Sequence, residues 1–162
     1  MELNLNLASS KKKSVVLDKG KTYDLLIIGS GPAGLNSALY AKRKGLEVGI
    51  IGKKSGGQVV DTTSVENYLG FEYKTGEELV KAFKSHVDSL KVPFLSDAEV
   101  TSIHKIENRF MVQLSSGEEI ATKAVIIATG SRPRQLGISG EADYLGRASL
   151  TVQSVMAHYL KV

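Results

Sequence analysis

The chain of 162 residues contains no cysteine. This excludes disulfides, thiolate metal sites and any cysteine redox chemistry carried by its own side chains. No apolar run approaches the length of a membrane span. The opening MELNLNLASSKKK has no basic stretch ahead of an apolar one, so it does not read as a secretory signal, and the expected location is cytoplasmic. Aromatic residues are sparse at 6%. The formal net charge is +4, yet the basic residues are mixed with acids along the chain, apart from Lys11-Lys12-Lys13 and Lys53-Lys54. A nucleic-acid surface needs a dense basic stripe interleaved with aromatics, and none is present. No internal repeat is visible. What remains is a length and a 42% apolar fraction that suit one domain with a buried core.

Residues 1 to 20 are polar and weakly patterned and are expected to form a flexible lead-in. From Tyr23 the text changes. Leu25-Leu26-Ile27-Ile28 is a continuous apolar run, as in a parallel strand buried on both faces. Glycines break it, and residues 32 to 44 continue with Ala33, Leu35, Ala38, Leu39 and Ala41 at helical spacing. Basic Lys42-Arg43-Lys44 and then Gly45 give a helix stop. Glu47 to Ile51 reads as a second strand, completing a βαβ unit.

Residues 52 to 70 lack periodicity, which in a compact domain marks a working loop. A second helix follows Thr75, with Leu79, Val80, Phe83, Val87 and Leu90 on one face and Thr75-x-x-Glu78 in the form of a capping box. Three alternating runs (98 to 106, 109 to 114 and 119 to 122) are separated by turn residues and predict a β-meander. Ala124 to Gly130 reads as a further buried strand. The expected class is α/β, a Rossmann-like fold with a parallel sheet plus a β-meander.

Gly29-Ser30-Gly31-Pro32-Ala33-Gly34 fits G-x-G-x-x-G between a predicted strand and a predicted helix, the context in which that pattern carries information. The first glycine permits the tight turn, the second lets the backbone approach a pyrophosphate, and the third lets helix and strand pack closely. The helix N-terminus offers unpaired N–H groups to the phosphates. The bland counterpart is a glycine-rich turn that binds nothing. One expected part is absent. An acid for the adenosine ribose would fall near Gly52, where the chain reads Ile51-Gly52-Lys53-Lys54. The two lysines suit either a 2′-phosphate, as in NADP, or a plain solvated loop.

Four segments together extend this pattern: GSGPAG at 29 to 34, GGQVVDTTSVENYLG at 56 to 70, TGEELVKAFKSHV at 75 to 87, and VIIATGSRPRQLGISGE at 125 to 141. From about Tyr23 to Gly146 the chain resembles the thioredoxin reductase family, within the class II pyridine nucleotide-disulfide oxidoreductases. The nearer branch is the flavoprotein subunit of alkyl hydroperoxide reductase. The resemblance implies that residues 21 to 146 form the N-terminal half of an FAD-binding domain, incomplete relative to the family. It assigns Gly29, Gly31, Pro32, Ala33 and Gly34 to the pyrophosphate, Gly57, Gln58 and Asn67 to the flavin ring, and Thr129 and Gly130 to the border of the FAD. Glycine in place of the acid has a precedent in that branch, which favours FAD over NADP. A bland role for Gln58 and Asn67 is to cap loop backbone. His86, His104, Asp61 and Glu66 sit in no acid–base motif and are expected to be structural or exposed. No catalytic residue and no metal ligand is assigned.

In the family, electrons pass from NADPH to FAD and then to a Cys-x-x-Cys pair on a second fold. The implied partners of the complete enzyme are a thioredoxin-like or peroxiredoxin-type dithiol protein, together with a second copy in a homodimer. After Gly146 the family continues with a segment like GVSYC-x-x-CDGPL, whereas here residues 148 to 161 read ASLTVQSVMAHYLK. A coding run for GVSYCSVCDGPLLK that loses one G translates into that second string. Residues 147 to 162 are therefore expected to be a non-family tail read out of frame. The counter-reading is a terminal helix, with Val152, Val155, Met156, Tyr159 and Leu160 at helical spacing. The function expected is the FAD-binding part of a thioredoxin-reductase-like, NADPH-dependent disulfide oxidoreductase, without its NADPH fold and dithiol. The alternative is a stand-alone FAD- or NAD(P)-binding module without catalysis.

Overall fold

A computed structural model describes residues 15 to 131; the expectations for the tail lie outside the described residues. The elements run β1 (Tyr23–Ile28), α1 (Pro32–Arg43), β2 (Val48–Gly52), a 3₁₀ turn (Gly57–Asp61), α2 (Gly76–Ser89), β3 (Phe94–Ser96), β4 (Val100–Ile106), β5 (Arg109–Leu114) and β6 (Glu119–Ile127). They build one six-stranded sheet in the order β3-β2-β1-β6-β5-β4. The first four strands in that order are parallel, and β4 to β6 form an antiparallel meander.

The run Leu25 to Ile28 is apolar throughout because both faces of β1 are covered. Successive side chains point to opposite faces. Leu25 and Ile27 join Leu35, Ala38 and Ala41 of α1 and Val87 of α2 in one cluster. Leu26 and Ile28 join Val112, Leu114 and Ile120 of the meander in another. The helices thus cover one face of the parallel part, and the meander curls back over the other.

Proline at the first turn and Gly45 in the left-handed region (φ 81°) bound α1. In α2, Leu79, Val80 and Val87 are buried, while Phe83 and Leu90 pack against the core from its edge. Its expected capping box is complete. The Thr75 hydroxyl accepts from the Glu78 N–H, and the Glu78 carboxylate accepts from the Thr75 N–H at 3.0 Å.

Two sequence expectations need correction. The segments 119 to 122 and 124 to 130 are one strand, β6, antiparallel to β5 up to Thr122↔Phe110 and parallel to β1 from Tyr23↔Thr122 to Ile28↔Ile127. Thr122 is the junction: fully buried, its hydroxyl donates to the Tyr23 carbonyl at 3.2 Å. The far end of β6 is also not buried. Ile127 is 67% exposed. Finally, β3 had no expectation, since three residues are too few to show a period. The lead-in is anchored at its last residues: Val16 bridges to Phe94 and Leu17 is buried in the core.

Candidate dinucleotide-binding site

Parallel strands of such a sheet gather their loops at the carboxyl ends, and ligands of open α/β sheets bind there. In this chain the two ends differ in chemistry. At the amino ends of β1 and β2 stand ion pairs: Lys123 with Asp24, 2.7 Å, and Lys21 with Glu47, 2.9 Å. The bond from Lys123 holds the Asp24 carboxyl below its ordinary range, and the bond from Lys21 does the same for Glu47. At the carboxyl ends stand the glycines.

The three fingerprint glycines answer to different constraints. Gly29 has φ +114°, a conformation side-chain-bearing residues rarely adopt, and a Cβ there would overlap the carbonyl oxygen of Ala128. At Gly34 a Cβ would overlap the carbonyl oxygen of Gly29. Both are required by packing within the protein. Gly31 is not: its φ of −75° and ψ of −178° suit any residue, and a Cβ there meets nothing within 4 Å. Among the described residues the space over Gly31, at the mouth of α1, is clear.

That helix start carries no side-chain cap and no acid in its first turn. Its free N–H groups and the positive end of its dipole face the same open space, which is the arrangement that holds an anion such as a pyrophosphate.

The loops around this point are stitched together. The Gly29 N–H donates to the Ile51 carbonyl at 2.8 Å, and the Ala128 N–H donates to the Ile28 carbonyl at 2.7 Å. Gly57 abuts the cradle, since a Cβ on it would stand 3.3 Å from the Gly31 Cα. The fold thus brings Gly29, Gly31, Pro32, Ala33, Gly34, Gly57 and the Ala128-Thr129 segment to one end of the sheet. Gln58, Asn67, Thr129 and Gly130 are exposed. No side-chain hydrogen bond of Gln58 or Asn67 occurs among the described residues. Tyr68, next to Asn67, shares a cleft with Pro32 and Leu35 of α1, and its ring packs tilted against Phe83 of α2 with centroids 5.2 Å apart.

One residue of this region, Ser30, escaped the sequence reading. Ser30 is buried, donates its hydroxyl to the Lys54 carbonyl at 2.8 Å and accepts from the Gly56 N–H at 2.8 Å through its own carbonyl. Gly52 lies against it, and a Cβ on Gly52 would overlap Ser30 Oγ. The variable position of the fingerprint gave no signal for Ser30.

The residues set aside as non-catalytic have ordinary partners. Asp61 pairs with Lys54, Glu66 accepts from Ser64 at 2.9 Å, and His104 lies 2.9 Å from the Ser102 hydroxyl. His86, on α2, lines the cleft beside Pro32. No cluster of three or more potential metal ligands occurs among the described residues, and no helix there is long and apolar enough to cross a membrane.

A family profile described as pyridine nucleotide-disulphide oxidoreductase matches residues 23–161. Among curated relatives, the chain is 33% identical over 143 residues to an alkyl hydroperoxide reductase subunit of Escherichia coli (strain K12), covering 86% of this chain and 27% of that protein. It is 34% identical over 143 residues to a protein named NADH dehydrogenase from Ferdinandcohnia aciditolerans, covering 88% of this chain and 27% of that one. Among solved structures, thioredoxin reductase from Streptococcus pyogenes MGAS5005 superposes with a TM-score of 0.69 at 39% identity, over 76% of this chain and 40% of the other. The chain therefore spans about a quarter of the length of these curated relatives. The resemblance carried by the four motif segments is borne out.

Proposed function

We propose, for a chain that belongs to the pyridine nucleotide-disulphide oxidoreductase family, that residues 21 to 146 are the first dinucleotide fold of a thioredoxin-reductase-like enzyme and that they bind FAD. The observation that carries the reading is the contrast among the fingerprint glycines. Two are demanded by the protein's own packing, whereas Gly31 is open and faces the uncapped start of α1.

The residues present fit such a group. Gly29, Gly31, Pro32, Ala33 and Gly34 would hold the pyrophosphate, with Gly57 closing one side. The exposed amides of Gln58 and Asn67 would hydrogen-bond the polar edge of the flavin ring, and Thr129 and Gly130 would border it. When bound, FAD supplies two-electron chemistry between a nicotinamide nucleotide and a disulfide. The chain's own contribution is to bind and orient. NADPH as reductant, a thioredoxin-like or peroxiredoxin-type partner, pairing with a second copy and a cytoplasmic setting are proposals for the complete enzyme.

The test is titration of the 162-residue chain with FAD, followed by flavin fluorescence, with ADP-ribose as competitor. Saturable binding that ADP-ribose displaces supports the reading. Absence of binding, or binding indifferent to ADP-ribose, would overturn it.

A further inference from the structure

In a dinucleotide fold the adenosine ribose lies over the carboxyl end of the second strand, where an acid takes its hydroxyls or a cation takes a 2′-phosphate. Here that end is Gly52, and Ser30 fills the space a side chain would need. Ser30 is fixed by its bonds to the Lys54 carbonyl and the Gly56 N–H, each 2.8 Å. No acid can stand at position 52 without displacing a buried serine. The residues that follow Gly52 at this end are Lys53 and Lys54.

Both ammonium groups are already engaged. Lys54 donates to both carboxylate oxygens of Asp61, at 2.6 and 2.7 Å, and Lys53 donates to Glu99 at 3.3 Å. Asp61 is not adrift in a loop. It ends the 3₁₀ turn that begins at Gly57 against Gly31, and the Gly76 N–H at the start of α2 donates to the carbonyl of the next residue, Thr62, at 2.9 Å. The turn holding the carboxylate is tied to the cradle at one end and to a helix at the other.

We infer that Asp61 is a specificity-determining residue. By neutralising Lys54 beside the ribose position, it makes the site select an adenosine with a free 2′-hydroxyl and reject one with a 2′-phosphate. The inference rests on the dinucleotide reading above and extends it to the adenosine end. A 2′-phosphate would have to compete with Asp61 for Lys54 while lying close to a like charge; a hydroxyl would not.

The experiment measures dissociation constants of the full chain for ADP-ribose and for 2′-phospho-ADP-ribose by calorimetry. The wild type should favour ADP-ribose by about tenfold or more, and Asp61→Asn should narrow that ratio by about fivefold through tighter binding of the phosphorylated probe, an ion-pair effect that high salt suppresses. Removing the cation as well, in Asp61→Asn with Lys54→Ala, should restore the wild-type preference. If Asp61→Asn still binds ADP-ribose with the ratio unchanged, this inference falls and the dinucleotide reading stands. If the wild type binds neither probe, both fall. Circular dichroism of each variant shows that the fold is intact; a variant Asp61→Ser tests the same charge loss with a different side chain.

Discussion

Replacing each fingerprint glycine by alanine separates folding from binding at positions at most five residues apart. Gly29→Ala forces a side chain into φ +114° and drives its Cβ into the backbone at Ala128, just past the end of β6. Strained backbone of this kind costs about 1–3 kcal/mol, and the carbonyl overlap adds to it, for a total on the order of 3 kcal/mol. Gly34→Ala overlaps the Gly29 carbonyl and should be destabilised similarly. Gly31→Ala meets no protein atom within 4 Å. It loses some unfolded-state entropy, a gain of about 0.4–1 kcal/mol, and puts a poorer residue at the N-cap, a loss of similar size. The net change in stability is therefore about zero. Its methyl group would occupy the space assigned to the pyrophosphate, and overpacking of about 1–3 kcal/mol corresponds to about 5- to 150-fold weaker binding. Urea unfolding followed by circular dichroism gives the stabilities, and FAD or ADP-ribose titration gives the affinities. The reasoning is refuted if Gly31→Ala unfolds as readily as Gly29→Ala, or if it binds as well as the wild type.

Restoring the missing acid should do harm: Gly52→Glu is expected to lower the urea midpoint because it displaces Ser30, and adding Ser30→Gly should recover part of the loss. Thr75→Ala removes the cap of α2 and should cost about 0.5–2 kcal/mol in the same assay. Asp24, Glu47, Glu78 and Glu118 all have carboxyls held below their ordinary values by hydrogen bonds to lysines or, for Glu78, first by the Thr75 backbone. A depressed folded-state pKa contributes stability that is complete above the unfolded value and is lost as pH falls through the folded one. Urea midpoints should hold steady above the ordinary values of 3.8 to 4.5 and fall below them, with a shallower fall in Asp24→Asn. For the tail, sequencing the gene should reveal a Cys-x-x-Cys in the alternative frame from codon 148; its absence there sinks the out-of-frame proposal.

Sequence alone determined the parts whose signal is local. The apolar run Leu25 to Ile28, the glycines that follow it, the helix stop at Gly45 and the Thr75 capping box each lie within a few residues, and each sits in the structure where its pattern put it. Tertiary structure decided what depends on partners far away in the chain. Thr122 bonds to Tyr23, 99 positions earlier, and that pairing merges two predicted strands into β6. Phe94 to Ser96 become a strand only because β2 offers an open edge. Ser30 is an unconstrained letter in the fingerprint, yet in three dimensions it explains why Gly52 replaces an acid. Lys54, which in the sequence suits a phosphate, is held by Asp61 in the fold. Periodicity reports which face of an element is covered. It carries no record of which distant side chain fills a space or neutralises a charge.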